Sequence, residues 1–527
     1  MTALRLFGVS LCCWTALTAL PSRRLAAQTI YAVVVERHDI FHGPVALSFY
    51  GRIINWLHIE TTDAAIRREI LLQPGQPYDS ALAAEGARNM RHLGVFRLVT
   101  VDTVTTDSGL VLKYITDDGW STKVDFRFGS TGNQVNWTFG AYEDNLLGTA
   151  GQLGFERKST PDRTTNSFFF QRSRLIANKL YVRTQYLHKS DGWATSGLVG
   201  LPWLSTGSKV YGVLTAYAQD DRVLHFVGGD PDPVDSLRRV RTIVRADLGW
   251  APIAFPSRYV RLGLTGAVKR DDITPWAGPD TTPRTVTGSM QGWGELSRVH
   301  FQVLKGFRTF AAQEDIDLSF TVRLGAALGP KIWGYEATGV GPVFLFHGGI
   351  EMGPGAFATI DLRHNALYFG GGVDSSSTHA AGTIGWVAAK GHVFVGHLEG
   401  GWKQGVAPGD EFDLGLGLGP RAFPAHSFTG DREFHSTIEY RYTLNPDLWS
   451  LMGLGVAAFV DHSGAWYSGD ARRTGSDAGV GLRIGPSRAT SLSMIRIDAA
   501  YRFKTDRNDA GWVLAIGKGF TFQEFGL

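Results

Sequence analysis

The sequence predicts a membrane β-barrel of about 16 antiparallel strands, preceded by a small α+β domain. Three observations carry that expectation. From residue 121 to the end, apolar and polar residues alternate with period two, and no helical periodicity interrupts them. After the N-terminus, no apolar run reaches the roughly 18 residues a membrane helix needs, a test that a barrel evades because only alternate residues face lipid. The 65 glycines and 12% aromatic content suit a large sheet with aromatic girdles.

Taken in order, the 527 residues exceed one ordinary domain. A formal charge of +3 is near neutral for this length, so no nucleic acid or other polyanionic partner is implied. Residues 1–27 read as a secretory signal peptide: Arg5, an apolar stretch from Leu6 to Leu20, then Leu25-Ala26-Ala27 before Gln28. Cys12 and Cys13 lie inside it, and Leu11 before Cys12 argues against lipidation. The mature chain would hold no disulfide and no thiol-ligated metal.

Residues 28–49 form an N-terminal extension to which the sequence assigns no role. Residues 50–118 read as β-α-α-β-β. Arg52–Ile59 is expected as a strand, and Thr62 or Asp63 caps a helix with Ile66 and Ile70 on one face. Leu72-Gln73-Pro74-Gly75-Gln76-Pro77-Tyr78 is a stop and turn. A second helix starts near Asp79-Ser80, turns Leu82, Met90 and Leu93 toward a core, and ends at Gly94. Arg97–Val104 and Leu110–Ile115 then pair across Asp107-Ser108-Gly109.

In the barrel region, residues 121–527, Val124, Phe126 and Phe128 alternate with Lys123, Asp125 and Arg127. Val244, Ala246, Leu248 and Trp250 alternate with Arg245, Asp247 and Gly249, and Ile495, Ile497, Ala499 and Tyr501 with Arg496, Asp498 and Arg502. Polar inserts such as Thr160–Thr165, Gly228–Val240 and Thr274–Thr287 suit one long-loop face and one short-turn face. At roughly 25 residues per strand and connection, the region holds about 16 strands.

Several stretches carry a resemblance. Gly419-Pro420-Arg421-Ala422-Phe423-Pro424 leads into a strand with Glu439 and Arg441 on one face, and Phe459-Val460-Asp461 lies on a later strand. Together they resemble the Arg-Gly-aromatic loop, the Glu-x-Arg strand and the Phe-x-Asp-x-Gly strand of the BamA/TamA (bacterial surface antigen) superfamily. Ala422 and Ser463 stand where that family has glycine. Asn145-Leu146-Leu147-Gly148 resembles the family's turn after the first hairpin strand. Phe520-Thr521-Phe522 resembles the aromatic C-terminal signal of outer-membrane barrels, although the chain continues to Leu527. Pro74-Gly75-Gln76-Pro77-Tyr78 and Leu93-Gly94-Val95-Phe96 resemble a single POTRA domain.

The resemblance implies a barrel in the bacterial outer membrane with its N-terminal domain in the periplasm. It also implies a structural or gating lock in which Arg421, beside Phe423, meets Asp461 with Glu439 nearby. Alternation independently turns Glu439, Arg441, Phe459 and Asp461 inward. The partners so implied are lipid, unfolded or partly folded polypeptide, and periplasmic or outer-membrane assembly proteins; the activity is assembly, insertion or translocation of proteins. A solute-conducting porin and a non-catalytic surface barrel are the alternatives. No phosphate loop, no His-Glu-x-x-His motif and no Ser-His-Asp arrangement can be read, so neither catalysis nor a cofactor or metal is expected. His38 and His42 are four residues apart but lack helical periodicity around them.

Overall fold

Backbone groups facing hydrocarbon find no water, so a spanning strand must be paired on both sides. In the computed structural model, twenty antiparallel strands among the described residues between Thr122 and Lys518 meet that requirement by closing into a barrel. The structure describes residues 28–522 except 132–133, 177–178, 278–284, 417 and 490–493. The signal-peptide reading and the last five residues therefore lie outside the described residues.

Twenty strands replace the expected sixteen. The repeat is nearer to about 20 residues than about 25, because many turns are tight, as at Pro256-Ser257 between Phe255 and Arg258. The last strand, Gly511–Lys518, lies beside the first, Thr122–Thr131, and Lys518 Nζ faces Asp125 Oδ2 at 3.5 Å across this seam. Side-chain alternation follows the pleat. Val124 and Phe126 are exposed on the outside, while Lys123 and Asp125 are buried inside. Leu248, Trp250, Leu262, Leu264, Ile438 and Val460 likewise face out.

The N-terminal domain differs from expectation at its start. Arg52–Ile59 is not a strand: Phe49–Leu57 is an α-helix capped by Ser48, whose side chain accepts from Gly51 N. Phe49, Ile53, Trp56 and Leu57 fall at helical spacing, which overrides the β-branched pair Ile53-Ile54. The first strand is instead Ile30–His38, inside the segment read as an extension; it pairs in parallel with Gly109–Asp118, which pairs antiparallel with Phe96–Thr106. Helices Asp63–Arg67, capped by Thr62, and Ser80–His92, capped by Asp79, cover this sheet. Ile66, Ile70, Met90, Val99 and Leu112 form its core.

The barrel rim holds this domain through polar contacts. Asn145 is fully buried: its Nδ2 donates to Ile59 O at 2.7 Å and Thr61 Oγ1 at 3.0 Å, and its Oδ1 accepts from Ala150 N at 2.9 Å. Gly148, at φ +70°, lies so close that an added Cβ would sit 2.5 Å from Glu60 O. Thr62 N donates to Gly148 O at 2.9 Å. Arg174 pairs with Glu69, and Glu85 accepts from Thr206. Asn145→Ala is expected to weaken this junction by about 1–3 kcal/mol, since buried groups lose their partners. Hydrogen exchange at Thr61 and Thr62 should quicken while the barrel keeps its heat-modifiable migration; unchanged exchange would contradict this role.

Among the described residues, three segments enter the lumen. Residues 299–319, between strands Val286–Arg298 and Phe320–Gly329, form a short inner hairpin, Phe301–Lys305 with Gln313–Asp317. Residues 405–431 form a long loop from the opposite rim. The chain after Lys518 turns inward, so Phe520 and Phe522 do not extend a lipid-facing strand as the C-terminal signal would. Phe520 stacks on Phe522 at 4.7 Å, and Phe522 on His397 at 3.7 Å. Phe522, Phe307, Leu304, Ile316, Phe357 and Val393 make an apolar cluster inside the barrel.

Candidate functional site

The long loop is pinned at its neck and turned at its tip. Phe412–Leu414 pairs with Phe428–Gly430, and a Cβ at Gly430 would fall 2.0 Å from the Trp466 carbonyl carbon. Gly419, at φ +81°, gives the tip its left-handed turn and donates from its N–H to Thr521 O at 3.1 Å. Loop tip and C-terminal segment therefore meet inside the barrel. Phe423 is fully buried against Leu414, Phe428 and Ala465, and a Cβ on Gly475 would lie 2.4 Å from its ring.

This anchoring aims Arg421 at a ring of strand carboxylates. Its Nη2 lies 2.7 Å from Glu439 Oε2, its Nε 3.0 Å from Asp461 Oδ2 and its Nη1 3.3 Å from Asp498 Oδ2. The Asp461 contact is an ion pair without hydrogen-bond alignment, since neither Nε nor Oδ2 has a hydrogen-bond partner. The guanidinium also lies 3.7 Å from the centre of the Phe459 ring. Only 2% of the Arg421 side chain is exposed. The arrangement continues outward: Arg441 pairs with Glu439, and Arg483 reaches Glu439 Oε2 at 2.8 Å and Asp498 Oδ1 at 2.6 Å. Asp477 accepts from Ala422 N at 2.9 Å, and Asp461 accepts from Thr437 at 2.5 Å.

The structure thus brings together Arg421, Glu439, Asp461 and Phe459, with Phe423 and Gly419 shaping the loop that carries the arginine. Asn145 and Gly148 lie elsewhere, at the rim against the N-terminal domain. Phe520 lies beneath this network, 4.3 Å from the Arg441 guanidinium carbon. Sequence reasoning missed Asp477, Arg483 and the role of Asp498. Alternation places Asp498 in the lumen, but a lining charge and a network member look alike in sequence.

Ser463, where glycine was expected, contacts His435 Nδ1, and both residues are buried among the lumen groups. His38, His42 and Asp117 converge, yet Arg97 already lies 2.6 Å from Asp117 Oδ2 and Glu36 2.9 Å from His38 Nε2.

At the far rim, His426 ties the long loop to a neighbouring turn. Its Nε2 lies 3.0 Å from Asp162, its Nδ1 2.6 Å from Asp413, and its ring stacks on Phe226 at 3.6 Å. Burial alone would depress its pKa, but the hydrogen bonds to Asp162 and Asp413 outweigh it and push the value up to about 9. A pKa raised by folding stabilises the folded form fully below the unfolded value of about 6.5 and less as pH rises through about 9. Protease cleavage in residues 405–431 is therefore expected to increase between about pH 7 and pH 10. His426→Gln should flatten that pH dependence; a profile identical to the parent's would refute the assignment.

No protein-family model matches the chain. Over 178 residues it is 26% identical to the outer membrane protein assembly factor BamA of Neorickettsia risticii (strain Illinois), a match covering 32% of this chain and 24% of that protein. The chain thus spans about a quarter of its curated relative's length. Among solved structures, CdiB from Escherichia coli aligns with a TM-score of 0.47 at 11% identity, over 96% of this chain and 93% of that one. BamA from Haemophilus ducreyi lacking POTRA domains 1-3 aligns with a TM-score of 0.38 at 12% identity, over 93% and 85%.

Proposed function

We propose that this chain, an outer-membrane barrel of the BamA/TamA type, handles polypeptide substrates at the outer membrane, by assembly and insertion of proteins or by their translocation. The observation that carries the reading is a barrel whose lumen is occupied rather than open. The Arg421 network holds residues 405–431 inside, and the apolar cluster around Phe307 and Phe522 fills the end nearer the N-terminal domain. A permanently open, water-filled pore would not be filled in this way.

The N-terminal domain would lie in the periplasm and act as the capture module. Its strand order leaves Ile30–His38 and Phe96–Thr106 as sheet edges; on the second, Val99 N and O are already bonded to Gln313 and Arg91, so the first, beyond Ile30, is the edge with backbone groups for an extended chain. This supports its reading as a POTRA domain. From there a client would reach the seam between Thr122–Thr131 and Gly511–Lys518, where pairing to a barrel edge can template a new strand. No nucleotide, cofactor or catalytic group enters this scheme.

Vesicles carrying the purified protein provide the test. Added unfolded outer-membrane barrel should become heat-modifiable and protease-protected faster than with empty vesicles, or a translocated client should gain protection. Ion conductance without either effect would favour a pore and overturn the proposal.

A further inference from the structure

We infer that the helix Phe49–Leu57 is a lipid-interfacial anchor, lying in the headgroup region of the membrane leaflet that borders the N-terminal domain. The helix is amphipathic in the reverse sense to a surface helix of a soluble domain. Its polar side faces the protein. Asn55 donates to Phe41 O at 2.8 Å and accepts from Phe41 N at 3.1 Å, and Gly51 packs so closely on the preceding turn that a Cβ would fall 2.2 Å from Val45 O. Its apolar side faces outward: Trp56 is 81% exposed and Phe49 75%, with Leu57, Ile53 and Tyr50 beside them. Leu47, just before the helix, is also exposed.

Exposure alone does not identify what covers this face; the attachment of the helix does. On its N-terminal side, the Phe41 ring lies 5.4 Å from the guanidinium carbon of Arg488, which pairs at 2.7 Å with Asp447. Arg488 lies in a rim turn of the barrel and Asp447 at the rim end of strand Arg432–Leu448. On its C-terminal side, His58 bonds Asp118 at 2.9 Å and Ile59 O accepts from Asn145, at the rim end of strand Gln134–Leu146 just before another rim turn. The two attachments bracket the seam between the last and first strands. The same turns carry exposed Leu147, Trp449 and Leu451. The apolar face therefore sits beside rim turns that themselves expose apolar side chains next to the lipid-facing wall.

The chemistry fits an interface rather than hydrocarbon. Trp and Tyr are enriched where lipid headgroups meet acyl chains, and Arg52, exposed on this helix, can reach phosphate while its stem lies along the apolar face. A short amphipathic helix of this kind lies in the plane of the interface. The consequence for the protein is positional: it fixes the N-terminal domain against the bilayer beside the seam.

Full-length protein with Cys12→Ser and Cys13→Ser, carrying Trp56→Cys labelled with an environment-sensitive fluorophore, tests this in vesicles of phosphatidylethanolamine and phosphatidylglycerol. Val124→Cys on the barrel wall and Asp107→Cys in an exposed turn are the lipid and water references. Nitroxide high on the lipid acyl chain should quench the label at 56 about as well as at 124, and aqueous iodide several-fold less than at 107. Adding Ile53→Glu should move the label toward iodide while the barrel remains heat-modifiable. Iodide quenching equal to that at 107 would overturn the inference. So would protection from both quenchers, which would mean that a protein segment or a second copy covers the face.

Discussion

Arg421→Ala is expected to release residues 405–431 from the lumen. Glu439 would keep Arg441 and Arg483, and Asp498 would keep Arg483 and Arg496. Asp461 would keep no cation within ion-pair range among the described residues, since its one ion pair is with Arg421. Stranding a buried charge in this way costs about 3–5 kcal/mol. The cost should appear as protease cleavage of the loop and a lower temperature for loss of the heat-modifiable form. Asp461→Ala should do less harm, because Arg421 retains Glu439 and Asp498. The double change should be no worse than Arg421→Ala, as it removes the stranded carboxylate together with its partner. If neither single change exposes the loop, its other contacts, the Phe423 cluster and His426 among them, hold it and the lock has no energetic role.

The parts of this site that sequence made legible are those fixed by short-range rules. Strand pleating decides that Glu439 and Asp461 share the lumen, and a left-handed glycine before Arg421 marks a loop tip. What could not be read depends on contacts distant in sequence. Arg483 and Asp498 look like ordinary lumen charges until the barrel closes and sets them opposite Arg421. Nothing in the sequence of Phe301–Lys305 and Gln313–Asp317 marks them as lying inside the barrel; long-range contacts such as the packing of Phe307 on Phe357 and Phe520 hold that hairpin inward. The strand number was missed because alternation fixes faces but not turn lengths. Arg52–Ile59 reads as a strand because its apolar residues are nearly continuous, and the helix Phe49–Leu57 becomes visible only once the cap at Ser48 is seen.

Arg91→Ala is expected to detach the inner hairpin from the N-terminal domain. Arg91 holds Asp315 through two hydrogen bonds, Nη2 to Oδ1 at 2.5 Å and Nε to Oδ2 at 2.7 Å, with 9% and 3% of the side chains exposed. Removing the guanidinium leaves Asp315 buried and unpaired, again at about 3–5 kcal/mol for local opening. At about 1.4 kcal/mol per decade, hydrogen exchange in Phe301–Lys305 and Gln313–Asp317 should quicken by about a hundredfold or more. Asp315→Asn should have a smaller effect, because it removes the charge and keeps an acceptor. Two contacts near the hairpin survive: Val99 N still reaches Gln313 at 2.9 Å, and Arg88 still lies 4.1 Å from the Phe301 ring. The hairpin should therefore loosen without leaving. Phe307 O accepts from Arg441 Nη1 at 2.8 Å inside the lumen, independently of Asp315. Protease protection of residues 405–431 should consequently stay at the parent level. If it falls together with the hairpin, then the N-terminal domain and the Arg421 network are coupled through Phe307 and Arg441, and capture of a chain outside the barrel would be felt by the lock within it.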